Sequence, residues 1–163
     1  VNQLTENLFK KYKTPEDYIN VDLKDLEQDL RRIGLYKNKA KNLKSMSQML
    51  LDSFDGNVPS SQVELEKLPG VGRKTANVVL SVWFDVPRIA VDTHVDRVSK
   101  RLKLAYKTDS VLQVEKKLMK KIPKDKWSDT HHKMIFFGRY HCTARNPKCD
   151  GCKLKHLCRY PNI

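Results

Sequence analysis

The sequence predicts an all-α protein, and three observations favour that fold class. Apolar residues recur at helical spacing along the 163 residues, and no stretch alternates convincingly with a period of two. Helix-start signals, such as Ser61 followed three positions later by Glu64, separate the apolar segments. Apolar residues make up 39% of the chain, which is enough for a buried core and argues against a wholly disordered protein. We therefore expect helices joined by short connections.

The first third of the chain contains several predicted helices. Thr14 to Asp17 supplies an N-cap residue, a proline at the first helical position and an acid at the third, so a helix begins there. Gly34 and Asp55-Gly56 are placed to end two others. The apolar faces are Leu4, Leu8, Phe9 and Tyr12; Leu23, Leu26, Leu30 and Ile33; and Leu43, Met46, Met49 and Leu50.

The rest of the chain continues the helical pattern. Ser61 with Glu64, Thr93 with Asp96, and Ser110 with Gln113 are predicted capping boxes. A last helix is expected from about Ser128 toward Gly138. The inward faces are predicted to be Ala76, Val79, Leu80 and Trp83; Val95, Val98 and Leu102; and Val111, Val114 and Leu118.

The charge of the chain indicates the class of partner. Lys and Arg number 32 against 19 Asp and Glu, so the formal net charge is +13. Such an excess favours a polyanion, with nucleic acid first, over a protein that is merely soluble and basic. No apolar run approaches a membrane span, because the longest candidate, 76–84, is interrupted by Asn77 and Ser81. We expect no membrane partner.

A tight hairpin is predicted at Leu68-Pro69-Gly70-Val71-Gly72. Its two glycines permit close approach by a ligand, and Gly72 leads directly into a helix whose first N–H groups point outward. A DNA phosphate suits these N–H groups and the positive end of the helix dipole. An ordinary turn between helices is the alternative, and the cations of Arg73 and Lys74 favour phosphate binding.

Lys74 and Asp92 are the candidate catalytic pair. Lys74 lies at the unfavourable end of a helix dipole, and partial desolvation would lower its pKa and provide a neutral amine. That amine could attack a sugar carbon and form a Schiff base, whereas the alternative is a surface lysine on a phosphate. Asp92 could receive the amine's proton and stabilise positive charge on the sugar ring, or could simply cap a helix. The nearby His94 is weaker evidence for a site.

All four cysteines lie close together near the C-terminus, in the pattern Cys142-x6-Cys149-x2-Cys152-x5-Cys158. This clustering indicates one metal centre in a reducing compartment rather than a disulfide framework. The spacing permits zinc or a [4Fe–4S] cluster, and the single C-x2-C favours iron–sulfur. The loop that carries Arg145 and Lys148 is basic, so the centre could hold that loop against a DNA phosphate.

Together these motifs resemble the endonuclease III family of DNA glycosylases, in the helix-hairpin-helix superfamily, and are most similar to its bacterial members. The resemblance extends over essentially the whole chain. It is carried by Leu68-Pro-Gly-Val-Gly-Arg-Lys-Thr-Ala76, Ile89-Ala-Val-Asp-Thr-His94, Ile33-Gly-Leu-Tyr36, Phe137-Gly-Arg-Tyr-His-Cys142 and the cysteine pattern.

The resemblance implies a fold, a reaction and a set of roles. It implies a helical barrel lobe over 1–88 and an iron–sulfur lobe over 89–163, in a bifunctional enzyme that removes oxidised pyrimidines from duplex DNA and cuts the strand by β-elimination. Lys74 falls on the family's nucleophile and Asp92 on its partner carboxylate. Leu35 falls on the residue that wedges into the duplex, and His94 on the pocket edge. The hairpin falls on the phosphate-binding element, and the four cysteines fall on the [4Fe–4S] ligands.

Other implications concern alternatives and context. Lys74 argues against a monofunctional mismatch adenine glycosylase, which generally lacks this lysine. A non-catalytic DNA-binding module and a zinc-stabilised adapter are the remaining alternatives. The family has further N-terminal helices before the segment that begins here, so we expect this sequence to be a piece of a longer one. No signal peptide is visible, and we expect a monomer in the bacterial cytoplasm, associated with the nucleoid.

Overall fold

The computed structural model describes residues 2–160, and every regular element in that range is a helix, which confirms the predicted all-α class. The α-helices are α1 (Asn2–Lys11), α2 (Pro15–Asn20), α3 (Leu23–Asp29), α4 (Tyr36–Phe54), α5 (Gln62–Leu65), α6 (Arg73–Val82), α7 (Thr93–Arg101), α8 (Val111–Lys121) and α9 (Trp127–Tyr140). Two short 3₁₀ turns, Lys124–Lys126 and Lys155–Leu157, flank α9. None of the described helices is both long and apolar enough to cross a membrane.

The helices form two compact units, Val1–Gly72 and Arg73–Ile163. In the first unit, α2 and α3 both pack against the long α4. Their shared core consists of the buried side chains Leu8, Tyr12, Leu26, Leu30 and Ala40. These residues include members of two of the apolar faces that the sequence predicts, so burial of those faces explains why this segment folds as it does.

The second unit has its own core, and α7 packs against α9 within it. The contact is close at Gly138, where a Cβ atom would lie 2.9 Å from the His94 Cβ. A larger residue would therefore push the two helices apart. The buried core residues are Ile89, Val91, Val95, Val98, Ala105, Val114, Leu118 and Met134.

Most predicted helix starts are confirmed, and one is wrong. Thr14 with Asp17 and Ser110 with Gln113 form reciprocal capping boxes, with both hydrogen bonds present. The predicted Thr93 box does not form, because Thr93 is already inside α7 and Asp92 is the N-cap residue. An Asp carboxylate in extended backbone geometry caps a helix as well as a hydroxyl does.

The division between units differs from the expected lobe boundary after residue 88, because α6 is tied to the second unit. Asn77 donates to the Ile89 carbonyl over 3.3 Å, and the Ser81 and Ser128 hydroxyls are 2.8 Å apart. These contacts explain why the compact units divide before α6. The functional division into a barrel lobe and an iron–sulfur lobe stays a prediction.

Candidate active site and cysteine cluster

A cavity of about 590 Å³ in the second unit brings together residues that the sequence singled out separately. Lys74 comes from the first turn of α6, whereas Asp92 and His94 come from the start of α7. All three line the cavity, and Arg139 and Asp96 line it as well. A primary amine and a carboxylate in one open cavity are the groups that imine chemistry on a sugar requires.

Asp92 is held rigidly by the helix that it caps. Its Oδ1 accepts hydrogen bonds from the backbone N–H of His94 at 2.9 Å and of Val95 at 2.8 Å. The capping interpretation from the sequence is thus confirmed for Asp92. Capping fixes the position of the carboxylate at the cavity wall, so it is compatible with the catalytic interpretation.

Lys74 is exposed at the mouth of this cavity. The desolvation that the sequence analysis required is therefore not provided by the described residues. A substrate that covers the cavity would have to exclude the water around the amine. The open cavity is consistent with a large ligand that brings its own surface to the site.

The neighbouring Arg73 is engaged within the protein. Its guanidinium forms a two-pronged ion pair with Glu115, with Nε–Oε2 at 2.9 Å and Nη2–Oε1 at 2.7 Å. Asn77 donates to the same Glu115 Oε2 over 3.2 Å. The expected Arg73–phosphate contact would therefore compete with an internal carboxylate. The arrangement anchors the first turn of α6, which carries Lys74, onto α8.

Sequence reasoning missed Glu115, although a signal was present. Glu115 lies between the core residues Val114 and Leu118 on α8, and its side chain is only 5% exposed. A buried carboxylate needs a partner, and an arginine is the usual one. An acid on an otherwise apolar helix face could thus have predicted the ion pair with a nearby arginine.

Replacing Glu115 by alanine is expected to lower the free energy of unfolding by about 2–3 kcal/mol, because it leaves Arg73 and the buried Asn77 without this acceptor. Urea unfolding measures the loss. Glu6→Ala removes an exposed ion pair with Lys10 and should change stability by less than about 1 kcal/mol. Equal effects of the two substitutions would contradict a stabilising role for the Glu115 network.

His131 is a second residue near the site that the sequence analysis did not single out. It lies on α9 and is 3% exposed. Burial lowers its pKa, and the positive charges of His132 and Lys74 act in the same direction. The Asp92 charge and a backbone hydrogen bond with Ala90 act to raise the pKa, without reversing the shift. His131 is therefore a buried imidazole in electrostatic contact with both members of the candidate catalytic pair.

This environment predicts a pH-dependent contribution to stability. Because the pKa of His131 is lowered from 6.5 in the folded protein, the unfolded chain binds more protons as the pH falls below that value. The contribution is complete above about pH 6.5 and is lost as the pH falls toward the lower folded pKa. His131→Gln should therefore lose less unfolding free energy between about pH 7.5 and 5.5 than the unchanged protein does. His156→Gln, at an exposed position, is the control, because His132 itself acts on the pKa of His131; an unaltered pH dependence in His131→Gln would contradict the expectation.

The hairpin before α6 has the geometry that its glycines predict. Gly70 has a φ of +80°, and a Cβ there would lie 2.9 Å from the Asn42 Nδ2. The Val71 N–H donates to the Leu68 carbonyl at 3.0 Å and closes the turn. Leu68 itself is 4% exposed, so its side chain is part of the core and is unavailable to DNA. Gly70 and Gly72 are exposed, which leaves their backbone accessible.

Leu35 is unusual for an apolar residue. It has a φ of 59°, in the left-handed region that non-glycine residues seldom adopt, and it is 76% exposed at the start of α4. The Lys39 ammonium donates to the preceding Gly34 carbonyl. A strained backbone that exposes a leucine side chain to solvent is typical of a functional contact.

The four cysteines line one cavity of about 280 Å³ near the end of the chain. The Arg101 Nη1 donates to the Cys142 Sγ at 3.2 Å, and the Tyr160 N–H donates to the Cys158 Sγ at 3.4 Å. Arg101 is buried, and its other bonds go to the carbonyls of Thr143 at 2.8 Å and Ala144 at 3.1 Å. Arg101 thus holds the loop after Cys142 against α7, and Arg97 on the same helix donates to the Cys142 carbonyl at 3.1 Å.

The arrangement of the thiols fits a multi-atom cluster. Within residues 2–160, no group of three or more His, Cys, Asp or Glu side chains is placed to hold a single metal ion. Four thiols nevertheless surround one cavity, and the Nε2 of His141 in its wall is buried without a partner. A cluster with sulfur acceptors fits both the cavity and this nitrogen. The basic residues Arg145 and Lys148 are exposed on the adjoining loop.

Comparisons with known proteins agree with this geometry. Residues 1–124 match the family described as "HhH-GPD superfamily base excision DNA repair protein", and residues 142–158 match "Iron-sulfur binding domain of endonuclease III". The chain is 61% identical over 159 residues to Endonuclease III of Bacillus subtilis, covering 98% of this chain and 73% of that protein. It is 43% identical over 160 residues to Endonuclease III of Escherichia coli, covering 98% and 75%.

Solved structures also match the fold of this chain. A trapped covalent intermediate of Endonuclease III with DNA, an estranged-adenine complex, matches with a TM-score of 0.95 and 64% identity. That match covers 97% of this chain and 74% of the other. A thermostable thymine-DNA glycosylase matches with a TM-score of 0.84 and 27% identity over the same shares.

Proposed function

The chain belongs to the endonuclease III family of helix-hairpin-helix base excision repair proteins, and we propose that Lys74 and Asp92 carry its chemistry. The family activity is that of a DNA glycosylase combined with an abasic-site lyase, and its cofactor is a [4Fe–4S] cluster. One observation supports the residue assignment above all others: Lys74 and Asp92, distant in sequence, line a single open cavity.

In the proposed reaction, the neutral amine of Lys74 attacks C1′ of the damaged nucleotide. The bond from C1′ to the base breaks, and the base leaves with the electron pair and takes up a proton. Asp92 receives a proton from the attacking amine and stabilises the positive charge that develops on the sugar ring. The ring then opens as O4′ takes up the proton held by Asp92, which leaves a protonated imine between Lys74 and C1′.

The imine makes the strand cut possible. It acidifies the C2′ hydrogen, and loss of that proton drives cleavage of the bond from C3′ to oxygen, so the 3′ phosphate leaves. Water then hydrolyses the imine and returns the amine of Lys74. Because C1′ is hard to reach inside a stacked duplex, the target nucleotide must be extruded into the cavity.

The remaining site residues are proposed to hold the DNA. Leu35, exposed in a strained conformation, fits the role of a wedge that enters the duplex opposite the extruded base. The backbone of Gly70 and Gly72 fits a phosphate contact at the start of α6. His94 lines the cavity and fits a contact at the pocket edge. Only the backbone of Leu68 is available for such a contact, and Val71 is half-buried beside it.

The cysteine cavity is proposed to serve the same DNA contact. Cys142, Cys149, Cys152 and Cys158 would hold the [4Fe–4S] cluster, which supplies four iron–thiolate bonds and so cross-links the loops between them. Arg145 and Lys148 are exposed on the first loop, where they fit a DNA phosphate. We also propose that the protein acts as a monomer on nucleoid DNA.

The substrate class is proposed to be oxidised pyrimidines in duplex DNA. We expect strand cleavage by β-elimination on duplexes with a single thymine glycol or a single abasic site. An otherwise identical duplex with an adenine mismatch should remain uncut. Gel analysis of end-labelled duplexes measures all three. Base release from the mismatch without strand cleavage, and no cleavage at the abasic site, would contradict the proposal and favour a monofunctional adenine glycosylase.

A further inference from the structure

His141 lies in the wall of the cysteine cavity, and the repair reaction gives it no role. It directly precedes Cys142 in the chain. Its ring stacks on Phe137, with ring centres 5.0 Å apart and planes inclined by 22°. Its backbone N–H also donates to the Phe137 carbonyl at 3.0 Å. The imidazole is therefore fixed beside the four thiols.

The Nε2 atom of His141 is buried and has no hydrogen-bond partner among the described residues. Native proteins seldom leave a buried polar atom unpaired, so such an atom calls for a partner outside the chain. Two N–H groups of residues that line this cavity indicate the nature of that partner. Those of Arg101 and Tyr160 donate to cysteine sulfurs at 3.2 Å and 3.4 Å. The cavity thus already directs donors toward sulfur.

We propose that the Nε2–H of His141 donates a hydrogen bond to a sulfur of the bound cluster and raises its reduction potential. Reduction adds negative charge to the cluster, and a hydrogen bond to sulfur stabilises the more negative form. The bond also ties the cluster to the end of α9 through the stack with Phe137. This role goes beyond the repair chemistry and does not depend on Lys74.

Two substitutions and a matched control test the proposal in protein that carries its cluster. His141→Leu removes the donor and keeps the bulk, whereas His141→Gln places an amide N–H near the position of Nε2. His156→Leu changes an exposed histidine in the same segment, outside the cavity. Film voltammetry should show a more negative midpoint potential in His141→Leu, recovery toward the original value in His141→Gln, and no shift in His156→Leu. Equal potentials in all four proteins would overturn the proposal.

Two spectroscopic measurements that do not use His141→Leu decide the matter even if that variant fails to retain the cluster. Resonance Raman spectra should show iron–sulfur stretching bands that shift in D₂O, because exchangeable protons bind to the sulfurs. The Tyr160 backbone N–H and the Arg101 side chain, which also donate to sulfur, contribute part of this shift. In 15N-histidine-labelled protein, one imidazole N–H signal should be displaced by the cluster and absent from His141→Gln. A spectrum without any displaced histidine signal would overturn the proposal.

Discussion

Replacing Lys74 by alanine is expected to abolish the DNA adduct that borohydride traps at an abasic site. Strand cleavage should fall by about 10³-fold or more, because Lys74 alone carries a primary amine among the described residues that line the cavity. Binding to the duplex should be retained, since Lys74 is one of 32 basic residues. Borohydride trapping measures the adduct, and single-turnover kinetics on the same duplex measure strand cleavage.

Lys67→Ala is the matched control for this substitution. Lys67 is an exposed lysine just before the hairpin, whereas Lys74 comes just after it. Its removal should leave trapping intact and weaken binding only slightly at moderate salt. An adduct that persists in Lys74→Ala would show that another amine is the nucleophile, and the cavity would then lose its assigned role.

The second large effect is expected for Asp92→Asn, which should slow base release by about 10²–10⁴-fold. Asn caps a helix about as well as Asp does, so the bonds to the N–H groups of His94 and Val95 can persist in the variant. The substitution therefore removes the charge and the proton acceptor while it retains the local structure. Single-turnover base release measures the effect on the chemistry, and thermal unfolding measures the effect on the local structure.

Asp22→Asn provides the same chemical change at another helix start. Asp22 caps α3, where its carboxylate accepts from the Lys24 N–H at 2.8 Å. We expect it to leave base release unchanged and to alter stability by less than about 1 kcal/mol. A normal rate of base release in Asp92→Asn would show that Asp92 acts only as a helix cap. A large loss of stability in that variant would mean that its slow reaction reports misfolding rather than chemistry.

The helical pattern could be predicted well from the sequence, because local signals determine it. Thr14 and Ser110 start helices where their capping boxes predicted them, and Val95 and Val98 are buried as their spacing indicated. Trp83 is an instructive exception. It continues the apolar spacing of α6, yet it follows the last helical residue and is 77% exposed. Phe9 in α1 and Val111 in α8 also lie on predicted apolar faces and are 61% and 51% exposed, so helical spacing alone does not determine burial.

The site could be predicted in part, for a physical reason. A motif reports residues close in sequence, so Lys74 and Asp92 were both found, but spacing could not show that they line one cavity. The acid of Glu115 on an apolar helix face was a sequence signal, but its contact with Arg73 on another helix was not, and the burial of His131 left no signal in the sequence. Leu68 belongs to a recognisable motif, yet packing rather than function determines where its side chain points.

The most direct test of the central claim identifies the amine that forms the bond to DNA. The unchanged protein is treated with borohydride on an abasic duplex, digested with trypsin and nuclease, and analysed by mass spectrometry. Because a modified lysine resists trypsin, the predicted product is a sugar-bearing peptide that spans residues 74–88, from Lys74 to Arg88. A modified peptide from any other lysine, with Lys74 recovered unmodified, would contradict the assignment.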